Sequence, residues 1–338
     1  MNERRVTLAS VAERVGVSAI TVSRALRTPE KVSPPLLEKI QRAIADLGYV
    51  PDPAARALAS GRTNVIGVLI PSVTNNVFSD VLRGIYAAVE GEPFEIQLGN
   101  SRYSPVMEET LLRVFLSQKP AGLIVAGIDQ SAASRKMLET APCPTVQIME
   151  LGPDPIDMMI GFSHYDGAAA ATRHLLETGS RYPAFVGARM DPRTQRRFAG
   201  FRDTCEAAGL FSEARCITTP APSTVTLGTQ LFADLIARHP KIDGVFCNND
   251  DLALGILFEA QRRHIRVPAD LTICGFNDLE MMAVAEPSIT SVRTYRYDMG
   301  RRAIEMISAR IRGGDGDTPA VVDLGFQLQP RQSTARAG

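Results

Sequence analysis

Val6-Thr7-Leu8-Ala9-Ser10-Val11-Ala12-Glu13-Arg14-Val15-Gly16-Val17-Ser18-Ala19-Ile20-Thr21-Val22-Ser23-Arg24-Ala25-Leu26 reads as two short helices around a tight turn. Thr7 is placed to cap a first segment whose apolar residues, Leu8, Val11, Ala12 and Val15, share one face. Gly16 stops that segment, and Ser18 caps a second with Val22, Ala25 and Leu26 turned inward. A third helix is expected from about Pro34 to Leu47, with Leu37, Ile40, Ile44 and Leu47 as its stripe and Gly48 at its end. Three helices joined by so short a turn form a compact helix-turn-helix unit of roughly 50 residues.

Working outward, Pro51 and Pro53 punctuate the chain before Ala54-Ala55-Arg56-Ala57-Leu58-Ala59-Ser60-Gly61. That stretch suits a helix of about two turns, too short to be stable without a partner. From Val65 the pattern changes to strands and helices in alternation. Strands are expected at 65–70, 94–98, 122–126, 145–149, 184–187, 244–248, 271–276, 289–292 and 321–326, with helices between them. Such βαβ repetition implies parallel sheets covered by helices, and its length suits two lobes. Ligands of such folds bind beyond the carboxyl ends of the strands. The fold class expected is therefore α/β, an all-α N-terminal unit followed by a two-lobed α/β domain.

Bulk composition agrees with a soluble globular chain: 338 residues, 45% hydrophobic and 22% charged. No apolar run approaches the ~20 residues that cross a bilayer, and the first residues lack an apolar signal core. The five cysteines are scattered and never spaced as CxxC. A reduced, cytoplasmic setting is the expectation, with no membrane partner. The net charge of zero is unevenly spread: residues 1–63 carry +4 and the remainder −4. A basic head on a mildly acidic body suits contact with a polyanion.

The stretch Val6–Leu26 resembles the headpiece signature of the lactose-repressor (LacI) family, and Tyr49-Val50-Pro51-Asp52-Pro53-Ala54-Ala55-Arg56-Ala57-Leu58 resembles that family's hinge. The likeness continues through Ile66-Gly67-Val68-Leu69-Ile70-Pro71, Cys247-Asn248-Asn249-Asp250-Asp251-Leu252-Ala253-Leu254-Gly255 and Gly275-Phe276-Asn277-Asp278. Within the family, Pro71–Phe78, Gly187-Ala188-Arg189-Met190-Asp191 and Asp323-Leu324-Gly325-Phe326 look most like the gluconate-operon repressors. The resemblance implies a periplasmic-binding-protein-like effector domain. It divides the chain into a headpiece at 1–50, a hinge at 51–63 and an effector domain at 64–338. In that domain an N-lobe is expected at about 64–163 and 294–321, and a C-lobe at about 164–293 and 322–330. It also implies a homodimer on palindromic operator DNA, controlled by a small sugar-acid effector.

In a helix-turn-helix the second helix enters the major groove. Ser18, Ala19, Ile20, Ser23 and Arg24 lie on its outward face. Arg24 suits a guanine or a phosphate, and Ala19 and Ile20 suit thymine methyls. Thr7, Lys31 and Ser33 are phosphate candidates, or ordinary solvated residues. Ala55 and Leu58 are the hinge contacts the resemblance implies, with Leu58 a wedge between base steps of the minor groove. Asp52 stands where relatives often carry Asn, and an acid near the DNA backbone is unfavourable.

For the effector, Arg197 matches the family's ligand-binding arginine. Arg193 lies on the same face one turn earlier, where the pair suits an anion site, although for Arg193 a solvated basic helix face fits equally well. Arg196 suits a solvated helix face equally well. Asn249 is expected at the interlobe crevice, with Asp250 and Asp251 more suited to capping the next helix. Asn277 replaces an aspartate common among sugar-binding relatives, which points to an acidic ligand because a neutral amide does not repel it. Phe78, Asn75 and Asn76 would supply a platform and polar contacts, and Arg102 and Tyr103 follow the second strand towards the crevice.

No GxGxxG, GxSxG, HExxH or Walker loop occurs, and His164, His174, His239 and His264 are dispersed. No catalytic residue, metal site or cofactor is expected. The rival reading is a sugar-binding transport or sensing protein of the same fold, against which the headpiece and the missing signal peptide argue. Whether effector relieves or strengthens DNA binding stays open.

Overall fold

A computed structural model describes residues 6–50, 63–313 and 319–335. The hinge readings, including Asp52, Ala55 and Leu58, lie outside the described residues. The chain separates into two units, Met1–Thr63 and Asn64–Gly338.

In the first unit, α1 (Leu8–Val15) is capped by Thr7, whose side chain accepts from Ser10 N while Ser10 returns a bond to the Thr7 backbone. This reciprocal arrangement satisfies two of the donors that a helix start leaves free. Gly16, at φ +75°, ends α1 in the left-handed conformation that glycine adopts without a Cβ clash. Ser18 caps α2 (Ala19–Arg27) by accepting from Thr21 N, and α3 (Pro34–Leu47) follows a 3-10 turn at Pro29–Lys31. Val11, Ala12, Val22, Ala25, Ile40, Ala43 and Tyr49 form the core of this unit.

The second unit begins with β1 (Val65–Ile70), α4 (Asn76–Val89), β2 (Glu95–Asn100), α5 (Pro105–Ser117) and β3 (Gly122–Ala126). Next come α6 (Ala132–Glu139), β4 (Thr145–Ile148), β5 (Met158–Gly161), α7 (His164–Glu177), β6 (Pro183–Ala188) and α8 (Pro192–Ala207). After these follow β7 (Cys216–Thr219), α9 (Val225–Arg238), β8 (Gly244–Cys247), α10 (Asp250–Arg262) and β9 (Thr272–Asn277). The chain closes with α11 (Met281–Val284), β10 (Thr290–Thr294), α12 (Arg296–Ile311), β11 (Val321–Asp323) and β12 (Phe326–Gln329).

Among the described residues these strands make two six-stranded sheets, ordered β11-β5-β4-β3-β1-β2 and β12-β10-β9-β8-β6-β7. All neighbours are parallel except β10 and β12. Each sheet therefore reverses its strand order once, between β1 and β3 and between β6 and β8, and ligand crevices form at such points. The chain crosses between lobes after β5, after β10 and after β11.

Three features depart from the strand pattern read in the sequence. Met158–Gly161 is a strand although it follows a proline-rich loop, and Cys216–Thr219 adds an edge strand. The single strand expected at 321–326 is two, one in each sheet, with Gly325 at φ +62° making the bend between them. A helical turn at Met281–Val284 was too short to carry a periodic signal.

An aromatic cluster fills the second lobe and reaches the crossover after β5 at Phe162. Phe162, Phe185, Phe201, Phe246 and Phe276 are fully buried, and each such side chain contributes roughly 1.5–3 kcal/mol by leaving water. Helices α4 and α12 cross at glycines. A Cβ on Gly84 would stand 2.0 Å from Tyr297 O, and one on Gly300 would stand 2.0 Å from Val81 O. Because the obstacle is backbone, neither helix can yield locally. Gly300→Ala is expected to cost about 1–3 kcal/mol by overpacking, read as a lower midpoint in urea unfolding with an unchanged slope.

Candidate functional site

At the carboxyl ends of β1, β6, β8 and β9 a cleft opens between the lobes, lined among others by Asn75, Phe78, Tyr103, Arg193, Arg197, Asn249 and Asn277. The centre of its wall is Arg197, on the second turn of α8 and only 7% exposed. Its Nε donates to His164 Nδ1 at 3.1 Å, its Nη1 donates to the Asn248 carbonyl, and its Cζ lies 3.9 Å over the Phe276 ring. These acceptors are neutral. Arg197 makes no ion pair among the described residues, and burial pulls it down to about 10, with Asp191 opposing and Arg193 assisting that shift. A buried cation held by neutral acceptors is poised for an anion.

His164 is fixed in one tautomer by this arrangement. Its Nδ1 accepts from Arg197, so Nε2 carries the hydrogen that is donated to the Met149 carbonyl at 2.9 Å. Burial, then the positive charge of Arg197 and Arg193, holds the imidazole neutral and well below the ordinary histidine range. Nothing in the sequence around His164 signals this. Its role comes from lying where the chain crosses between lobes.

Arg193 also lines the cleft, but it is not a free cation: its Nη2 pairs with Asp191 Oδ2 at 3.2 Å. Asp191 caps α8 through Thr194 N at 2.9 Å; although burial opposes it, Arg193 holds the carboxyl below its usual range. Arg196 does not sit on a solvated face. It bridges the lobes, pairing with Asp129 at 2.6 Å and with the buried Glu150 at 2.9 Å. Burial raises Glu150 to about 7, with Arg196 acting against that rise.

Asn277 ends β9 at φ +110°, is 1% exposed, and its Oδ1 has no hydrogen-bond partner among the described residues. The Asn277 carbonyl accepts from Arg296 Nη1, and Arg296, which starts α12 of the first lobe, pairs with Asp80 of that same lobe at 2.8 Å. Asp250 steadies the following loop, accepting from Leu279 N at 2.7 Å and Ser291 Oγ at 2.6 Å. Burial raises Asp250 to about 7, with the Ser291 bond opposing. Asn249, rather than Asp250 or Asp251, is the cap of α10, accepting from Leu252 N at 3.1 Å. Its amide donates to Asn248 Oδ1 at 3.3 Å, so Asn249 lines the cleft with much of its bonding capacity committed.

At the first strand-to-helix junction, Asn75 caps α4 and Phe78 is buried against the cleft. Asn76 and Arg102 are exposed and line neither this cleft nor the adjoining one. Asn76 is the first residue of a helix whose inward face begins at Val77 and Phe78. Arg102 turns outward with φ +53°, and the next residue, Tyr103, takes the place in the wall. Arg189 and Thr194 also line the cleft without having been singled out. The signal for Arg189 was its position just past a strand's carboxyl end.

In the headpiece, Ile20 on α2 is 72% exposed, with Ala19 and Arg24 exposed beside it and Ser23 half-buried. The hydroxyls of Thr7 and Ser18 are engaged in helix caps, whereas Ser33 makes no side-chain cap bond and Lys31 is exposed.

Residues 7–52 match the family described as bacterial regulatory proteins, lacI family, and residues 172–334 match a periplasmic binding protein-like domain. The chain belongs to the LacI family of bacterial regulatory proteins and is a DNA-binding transcriptional regulator. It is 42% identical over 330 residues to the HTH-type transcriptional regulator GntR of Pseudomonas aeruginosa, covering 98% of this chain and 96% of that one. It is 39% identical to GntR of Escherichia coli K12, covering 98% and 99%. A LacI-family regulator from Silicibacter pomeroyi superposes with a TM-score of 0.93 at 32% identity, covering 98% of this chain and all of that one. Among the described residues no helix is long and apolar enough to cross a membrane.

The His164 geometry has a pH consequence. Its folded-state affinity for a proton lies below the unfolded value near 6.5, so below that pH the unfolded chain binds more protons and stability falls as pH is lowered. The wild type should lose up to about 1.4 kcal/mol per pH unit from this group between pH ~6.5 and 5. His164→Asn, measured by chemical unfolding across that range, should show a shallower slope whatever its absolute stability.

Proposed function

We propose that this regulator is a repressor whose operator affinity is set by a sugar acid of the gluconate or 6-phosphogluconate class, bound between the lobes. The observation that carries this reading is Arg197: a buried guanidinium with neutral partners, lining a cleft at the strand ends. A carboxylate or phosphate on its remaining donors supplies the missing counter-charge, and Asn277 adds a buried, unpartnered polar group without negative charge. The resemblance to gluconate-operon repressors points the same way. On this reading the chain is not an enzyme.

The domain plan we adopt is a headpiece at 1–50, a hinge at 51–63 and an effector domain at 64–338. Each headpiece of a homodimer reads one half-site of a palindromic operator. Ser18, Ala19, Ile20, Ser23 and Arg24 form the face turned to the bases, and Thr7, Lys31 and Ser33 lie near phosphates. Ala55 and Leu58 contact the minor groove from the hinge. Effector acts by binding one arrangement of the lobes more tightly than the other.

Calorimetric titration with gluconate, 6-phosphogluconate and the neutral polyol glucitol tests the ligand. Arg197→Ala should abolish effector binding while operator binding persists. Asn277→Asp should weaken the acids more than the polyol: like charges ~6 Å apart at an effective dielectric of ~20 repel by about 3 kcal/mol, near a hundredfold. Tighter binding of the polyol by the wild type would falsify the acid assignment.

For the headpiece, Arg24→Ala should cost roughly 1–3 kcal/mol of discrimination between operator and random DNA. An equal loss on both DNAs in gel-shift titrations would make Arg24 a phosphate contact instead.

A further inference from the structure

A second, wider chamber opens beside the cleft, at the carboxyl ends of β1, β2 and β3, with Ser101, Glu108, Gly127, Gln130 and Pro220 in its wall. Four residues line both chambers, the ion-paired Asp191 and Arg193 together with Tyr103 and Arg189; the last two form a stack. They come from opposite lobes, Tyr103 from the loop after β2 and Arg189 from the end of β6. The Arg189 guanidinium carbon lies 3.9 Å from the centre of the Tyr103 ring. This contact is therefore a partition between the chambers that exists only while the lobes stand close.

The backbone holds both side chains to this task. Arg102 and Tyr103 have φ of +53° and +58°, and Arg189 and Met190 have φ of +66° and +41°, a region L residues seldom occupy. Asn75 Nδ2 donates to the Tyr103 hydroxyl at 3.4 Å, and the Arg189 N–H donates to the Ala221 carbonyl at 2.9 Å. Arg189 enters no ion pair among the described residues, so the stack is not a by-product of a salt bridge. A guanidinium over an aromatic face is attracted to it, yet weakly enough to be displaced.

We propose that the Tyr103–Arg189 stack is a length gate: it confines the effector to the first chamber and selects against ligands extended beyond a single sugar unit. This rests on the cleft being the effector site, but not on the effector being an acid. An extended ligand must reach into the second chamber past this shared wall, of which the stack is the part that joins the two lobes.

The test uses the full chain and three matched pairs in which the long member carries a 6-O-galactosyl extension: gluconate and melibionate, glucose and melibiose, glucitol and melibiitol. Calorimetry on the wild type should show the short member of any pair that binds favoured by about tenfold or more, whereas Tyr103→Ala and Arg189→Ala should bring that ratio within about threefold. Tyr103→Phe, which keeps the stacked ring, should retain the wild-type ratio. The same ratio in all four proteins, or a wild-type preference for the long member, overturns the gate. Binding by a neutral pair alone ends the acid reading and leaves the gate to be judged by its ratio. Failure of every pair to bind the wild type overturns both.

Discussion

Arg197 imposes the constraint around which the cleft is built. A guanidinium taken out of water and given no carboxylate must have its donors met by neutral groups, and each group that meets them is fixed in turn. His164 is held to one tautomer and kept neutral, which ties the second lobe to the Met149 carbonyl of the first. The Asn248 carbonyl is drawn to the guanidinium, while the Asn248 side chain is anchored by the Ala188 backbone and by Thr194. Phe276 is flattened beneath it. Each of these groups is thereby fixed around a buried positive charge.

Charges around this centre are distributed so that the lobes hold together without filling the cleft. Arg196, the next residue along the helix, spends its charge on Asp129 and Glu150 across the interface. Arg296 pairs with Asp80 inside the first lobe, while its Nη1 reaches across to the Asn277 carbonyl of the second. Both interlobe contacts lie where closing or opening the lobes would make or break them. On the proposed reading, an effector that completes the coordination of Arg197 favours the arrangement in which these contacts exist. That preference is the differential affinity any allosteric ligand requires.

Much of this architecture was legible in the order of residues. Thr7, Gly16, Ser18 and Gly48 mark helix ends because capping is a local transaction between a side chain and the next three or four amides. Alternation of strands and helices beyond Val65 gave the parallel sheets, since burial on both faces leaves near-continuous apolar runs. The strands that escaped notice, Met158–Gly161 and Cys216–Thr219, are four residues long, which leaves no period to read. The bend at Gly325 divides one apparent strand between two sheets, and no local pattern states which sheet a residue will join.

For the site, the sequence by itself determined that Arg193, Arg197 and Asn277 lie beyond strand ends on a two-lobed fold, and that α2 shows Ile20 and Arg24 to solvent. Only the tertiary structure decided how each charge is used. Arg193 and Arg197 share a helix face, yet Arg193 is neutralised by Asp191 and Arg197 is not. Tyr103 faces the cleft while Arg102 and Asn76 turn away, because left-handed backbone at one residue and a helix start at the other rotate adjacent side chains apart. Arg196 and His164 acquire their roles from residues dozens of positions distant. The physical reason is common to all of them. Capping and amphipathic periodicity act over a turn or two of chain, whereas the partner of a buried charge is whichever group the folded lobes bring within hydrogen-bonding reach.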